Sequence, residues 1–245
     1  FIVHTLRKPS GCSAACLISA RIWPEILMTG RIMAKDSLLD AYKEHLFSPI
    51  IAGILIGIAG TVYMNVGGVT GAVMFGFGLM CVVAWKVNLF TGKSGFWSGR
   101  MIWRLIPVLL MNIVGVVSVA LLTMKPEITD AALAITGKRL MASPMKLFLL
   151  SCCCGFIMTT AVKFGREGNW WPLLFGVPTF ILCGFPHCVA DIYYWTVAIV
   201  DGVDFLRILP VYLVTVAGNY AGCNMPRLIP GFIADGAVAR DVAKS

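Results

Sequence analysis

His187 lies in the segment Ile181 to Asp191, ILCGFPHCVAD, with apolar sequence on both sides. An imidazole both donates and accepts hydrogen bonds and titrates near neutrality, so in an apolar run it marks a functional site. Gly184 and Pro186 beside it are costly in a helix: proline removes a backbone donor and glycine loosens the chain. A kinked helix with a buried histidine would account for this segment alone. A second interruption, Asn88-Leu89-Phe90-Thr91-Gly92-Lys93-Ser94-Gly95, breaks an earlier apolar block and carries a hydroxyl at Thr91. Two paired breaks, one bearing an imidazole and one a hydroxyl, favour a polar site for a small solute over the simple kink.

The elements that must position these groups are membrane helices. Of 245 residues, 58% are hydrophobic and 13% charged, where a soluble domain carries roughly a quarter charged residues. The apolar residues come in blocks near the ~20 needed to cross a bilayer. The blocks run from about Ser48 to Gly67, Val69 to Phe90, Met101 to Met124, Pro144 to Phe164, Trp170 to Val200 and Phe205 to Ile233. The fifth is too long for one straight span and is broken at Gly184 to His187. Gly53-x-x-x-Gly57 offers a close-packing face in the first. The polar stretch Lys125 to Ala142 reads as a connecting loop. Residues 1–34 read as a non-native or disordered leader, with a more natural start near Met33-Ala34-Lys35. Residues 35–235 then form the transmembrane channel domain, and 236–245 a polar tail. Leu38, Leu39, Tyr42 and Leu46 fit a short amphipathic helix at the membrane surface.

The halves correspond. A broken second block is followed by Asn112-x-x-Gly115, and a broken fifth block by Asn219-x-x-Gly222. Three spans per half is odd, so the second copy must be inverted. The expected fold is therefore an all-α membrane protein of six transmembrane helices, built as two inverted three-helix repeats. Loop charge puts both termini in the cytoplasm, with Lys93, Arg100, Arg104, Lys163, Arg166, Arg240 and Lys244 on that side and Asp201 and Asp204 outside. Lys125, Lys138, Arg139 and Lys146 run against the rule and would place positive charge at an outer mouth. The net charge of +8 thus orients helices and gives no sign of a nucleic-acid partner. Cys81, Cys152, Cys153, Cys154, Cys183 and Cys188 lie in apolar blocks as small hydrophobes, and no spacing suggests a metal or another cofactor.

Leu89-Phe90-Thr91-Gly92, Cys183-Gly184-Phe185-Pro186-His187 and Gly218-Asn219 together resemble the formate–nitrite transporter family, over about Lys35 to Ile233. The resemblance implies a homopentamer in the cell membrane, each protomer an aquaporin-like channel with its own pore. It puts His187, Thr91 and Asn219 at the pore centre. It puts constrictions at Phe75, Leu79, Leu89, Phe90 and Phe180, and vestibule charge at Lys138 or the neighbouring Arg139. Lys86 and Lys93 add positive charge at the inner mouth. Departures are Pro186 for the usual acidic residue, Asp191 for the usual asparagine, and Gly155 for a polar residue. Phe77, Phe96 and Phe148 read as packing.

The implied activity is passage of a small monovalent weak-acid anion: formate, nitrite or hydrosulfide. A bare anion in a dry constriction faces a desolvation cost of several kcal/mol even after relaxation. Helix ends at the breaks, the two polar groups, or protonation of the anion in the pore would lower that cost. A proton-coupled symporter of a small monocarboxylate is the alternative. An aquaporin-type neutral channel would need Asn-Pro-Ala loops, which neither break contains. A membrane enzyme using His187, Asp191 and the cysteines would rest on a single histidine and one aspartate, thin for a catalytic or metal site.

Overall fold

A computed structural model describes residues 43–97 and 99–232. The expected leader, most of the surface helix and the tail lie outside these residues. The helices below lie in one compact unit, within Glu44–Ser245.

All regular structure among the described residues is helical. The α-helices are α1 (Ser48–Val66), α2 (Gly68–Ala84), α3 (Phe90–Ser94), α4 (Leu105–Thr123), α5 (Pro126–Met141), α6 (Pro144–Arg166), α7 (Trp171–Leu182), α8 (Asp191–Val200) and α9 (Phe205–Asn224). Among the described residues, three continuous helical stretches are long and apolar enough to cross a membrane: Lys43–Val66, Ile102–Thr123 and Pro144–Arg166. Helices α2 and α7 are apolar but shorter, because each stops at a break. The outward faces remain apolar: Val69, Val73 and Phe77 line one side of α2, and Trp103, Ile106, Leu110 and Val114 line one side of the Ile102–Thr123 stretch. Phe77, expected inside, is 66% exposed. It falls at the i+4 position from Val73 on that outer stripe rather than with Phe75 and Leu79, which are buried.

The stretch Lys125 to Ala142 is not a loop. It forms α5, begun by Pro126 at its first position, with Glu127 in the first turn and Lys138 and Arg139 in the last, charges that oppose the helix dipole at both ends. Ile128, Ala132 and Thr136, spaced by four, are its buried face, packed toward α8 and α1. Its polar composition hid a helix with only one narrow apolar edge. The last apolar block also ends early: α9 stops at Asn224, and Pro226 opens a 3-10 turn, Met225–Leu228.

Tight pairing of α1 with α4, and of α6 with α9, frames the core. Both pairs meet through glycine. A Cβ on Gly53 would strike the carbonyl of Asn112, and one on Gly115 that of Ile50. In the second pair, a Cβ on Gly155 would strike the carbonyl of Asn219, and one on Gly222 that of Cys152. Only glycine permits backbones this close. Gly155, a departure from the family pattern in sequence, is thus a packing requirement in this chain.

Candidate functional site

The two breaks have the same local structure. At the end of α2, Trp85 N donates to Cys81 O at 2.9 Å and Val87 N to Val82 O at 3.1 Å. At the end of α7, Cys183 N donates to Thr179 O at 3.0 Å and Phe185 N to Phe180 O at 2.8 Å. Both are Schellman-type closures, which need one residue in the left-handed region. Gly184 supplies it at φ 66, and Lys86 supplies it at φ 57. The chain then runs without helix to Leu89 on one side and through His187 on the other.

An asparagine holds each break. Asn112 of α4 accepts from Phe90 N at 2.9 Å and donates to Asn88 O at 2.9 Å and Pro49 O at 2.7 Å. Asn219 of α9 accepts from Cys188 N at 2.7 Å and donates to Pro186 O at 2.9 Å and Ser151 O at 2.8 Å. A carboxamide has one acceptor and two donors to offer; each residue spends the acceptor and one donor on backbone of its break and the other donor on a carbonyl of an unbroken helix, Pro49 in α1 and Ser151 in α6. Asn219, expected at the pore centre, holds the backbone around it. Asn112 does the same for the first break, and its Asn-x-x-Gly repeat was the signal in the sequence.

Between the breaks, Thr91 Oγ1 lies 3.0 Å from His187 Nε2. His187 Nδ1 accepts from Ala190 N at 3.0 Å and Val189 N at 3.3 Å. With Nδ1 occupied as an acceptor, the network assigns the neutral ring's hydrogen to Nε2, which donates to the Thr91 hydroxyl. Thr91 is fully buried and His187 is 2% exposed. The imidazole stacks on Phe180, centroids 5.5 Å apart, and Phe180 meets Phe75 edge-on at 6.2 Å. Leu79, Leu89 and Phe90 are buried in the same apolar cluster. The structure therefore brings Phe75, Phe180, His187 and Thr91 into one contiguous group.

The expected charges distribute differently. Lys86 and Lys138 are exposed. Arg139, not Lys138, reaches the second break: Nε donates to Asp191 Oδ2 at 3.0 Å and Nη1 to Gly184 O at 2.5 Å. Lys93 lies over the ring of Trp97, 5.5 Å from its centroid. Sequence reasoning missed two further arginines on the segment after Thr91. Arg166 donates to Gly92 O at 3.1 Å, its guanidinium 4.3 Å from the centroid of the Phe96 ring. Arg227 donates to Gly95 O at 2.8 Å and Trp97 O at 2.7 Å. Nothing in the local sequence distinguishes these two from other loop cations. Cys152 and Cys154 are buried and Cys153 is exposed, as three successive helix positions require. Among the described residues, no cluster of three His, Cys, Asp or Glu side chains is placed to hold a metal.

Helices with apolar outer faces around a small buried polar centre where two broken helices meet are the architecture of a membrane transport protein. The chain belongs to the formate/nitrite transporter family, whose model matches residues 30–225. Among solved structures, one described as a pentameric formate channel with formate bound superposes with a TM-score of 0.64 at 23% identity, covering 75% of this chain and 93% of that one. An FNT family ion channel superposes at 0.62 with 21% identity, covering 89% and 97% respectively. At these identities the likeness shows the fold. The family and these neighbours are transporters and channels, not enzymes. No curated protein matches the chain.

Proposed function

We propose that the protein conducts small monovalent weak-acid anions (formate, nitrite or hydrosulfide) through a pore centred on His187 and Thr91. The observation that carries this reading is the buried hydrogen bond between Thr91 Oγ1 and His187 Nε2, which joins the two breaks among apolar side chains. Since the ring donates to Thr91, the hydroxyl's own hydrogen is directed elsewhere, and a passing anion is its natural acceptor. Phe75, Leu79, Leu89, Phe90 and Phe180 form the dry constrictions on either side. A weak acid crosses them in its protonated form, which avoids the cost of desolvating a charge. Symport with a proton is the second reading, favoured by an imidazole, a group able to take up and release a proton, at the contact.

The matched Schellman closures, the matched asparagines and the matched glycine contacts support two inverted repeats. In that arrangement α1, α2 with α3, and α4 make one half, and α6, α7 with α8, and α9 the other, giving six crossings. Helices α3 and α8 would then complete the interrupted spans. Both termini face the cytoplasm of a cell-membrane protein. Arg139, one of the four cations at odds with that orientation, is paired with Asp191 and so drops out of the outside charge. A homopentamer is the assembly, supported by the pentameric neighbour and by the apolar stripes on the outer helix faces. Asn112 and Asn219 act as positioning residues, and Lys86, Lys93 and Lys138 as mouth charges.

Stopped-flow swelling of proteoliposomes with formate, nitrite, hydrosulfide and larger carboxylates, across pH, tests the reading. Rapid uptake of the small weak acids is expected. Permeability equal to that of empty liposomes refutes it.

A further inference from the structure

Arg139, in the last turn of α5, ties together both ends of the break that carries the histidine. Its Nη1 holds the carbonyl of Gly184, where α7 ends, and its Nε holds the carboxylate of Asp191, where α8 begins. His187 lies between these two anchors, and its carbonyl accepts from Asp191 N at 2.8 Å. The Asp191 side chain is 2% exposed and that of Arg139 13%. Neither charge is solvated as it would be at a surface, so each depends on the other for compensation.

We infer that Arg139 holds the His187 break in register and that Asp191 neutralises it, so that anion specificity depends on the absence of net charge at this break. The inference rests on the anion-conducting reading above and deepens it. A guanidinium alone beside the pore would hold any monovalent anion. Paired with a carboxylate one helical turn from the imidazole, it presents a dipole instead. A permanently ionised anion then receives no compensation from the pair for losing its water, whereas a weak acid crosses neutral. The planar fork of arginine also suits two acceptors at once, which the single ammonium of lysine does not.

The test reconstitutes the full-length wild type, Asp191→Asn, Arg139→Lys and the double variant Arg139→Gln/Asp191→Asn in liposomes. Formate is the weak-acid probe, and chloride and nitrate are the permanently ionised ones. At an effective dielectric of about 20, one uncompensated charge acting over about 10 Å shifts ion occupancy by about tenfold. Asp191→Asn should therefore raise the chloride-to-formate and nitrate-to-formate flux ratios by about that factor. The double variant, neutral again, should return both ratios to the wild-type value. Arg139→Lys should keep the ratios but lower formate flux, because the second anchor at Gly184 is lost. Formate flux in the wild type with ratios unmoved in Asp191→Asn overturns the specificity role. Should Asp191→Asn fail to assemble, the double variant decides alone, and changed ratios in it overturn that role. Undiminished formate flux in Arg139→Lys overturns the positioning role. No formate flux in the wild type overturns the anion-conducting reading, and this inference with it.

Discussion

Replacing Asn112 by aspartate keeps the shape of the side chain and removes the two N–H donors. In the wild type those donors satisfy Pro49 O at 2.7 Å and Asn88 O at 2.9 Å, and the residue is fully buried. A protonated aspartic acid has one O–H for two buried carbonyls, so at least one loses its side-chain donor, at about 1–3 kcal/mol. An ionised one would leave both carbonyls facing a buried charge and cost more. For chains of this size each kcal/mol lowers Tm by about 2–4 °C, so a drop of roughly 2–12 °C is expected. Thermal unfolding of the purified protein in detergent measures it. Asn219→Asp should lose a similar amount, because Asn219 makes the matching bonds to Ser151 O and Pro186 O. Asn65 supplies the control: it donates to Thr61 O at 2.7 Å but is exposed, so water replaces the lost donor and Asn65→Asp should change Tm little. Wild-type stability in Asn112→Asp, or an equal loss in Asn65→Asp, would refute the view that these asparagines hold the breaks.

Three further outcomes are expected. Thr91→Val removes the hydroxyl facing His187 at a net cost of about 0.5–1.5 kcal/mol, so the protein should fold while formate flux or selectivity changes; wild-type conductance would take Thr91 out of the mechanism. His187→Phe should lower weak-acid flux and alter its pH profile in proteoliposomes, and an unaltered profile would count against a proton relay. Lys86→Gly should raise stability by up to about 1 kcal/mol, since a left-handed conformation costs an ordinary residue about 1–2 kcal/mol and glycine offsets part of that in chain entropy; chemical denaturation should show it, and a loss of stability would contradict the strain at φ 57.

Membrane class, helical architecture and the positions of the two breaks were all legible in the chain itself. Hydrocarbon-length apolar blocks admit few structures, because every backbone polar group must be satisfied internally. Gly184, Pro186 and the Asn88–Gly95 stretch then mark where helix cannot continue comfortably. The paired Asn-x-x-Gly motifs pointed to the correspondence of the halves, since an amide followed one turn later by a small residue has a meaning that local sequence can carry. Folding decided what depends on which groups meet across the molecule. Asn219 and Asn112 differ little from any membrane asparagine until the backbone they satisfy is brought beside them. Lys138 and Arg139 are adjacent cations, and only the helical phase of α5 sends one to Asp191 and leaves the other exposed. That phase came from burial of Ile128, Ala132 and Thr136, a pattern too sparse to be read against a polar background. Charge and periodicity are local properties; the compensation of one buried charge by another, from a segment more than fifty residues away in the chain, exists only in three dimensions.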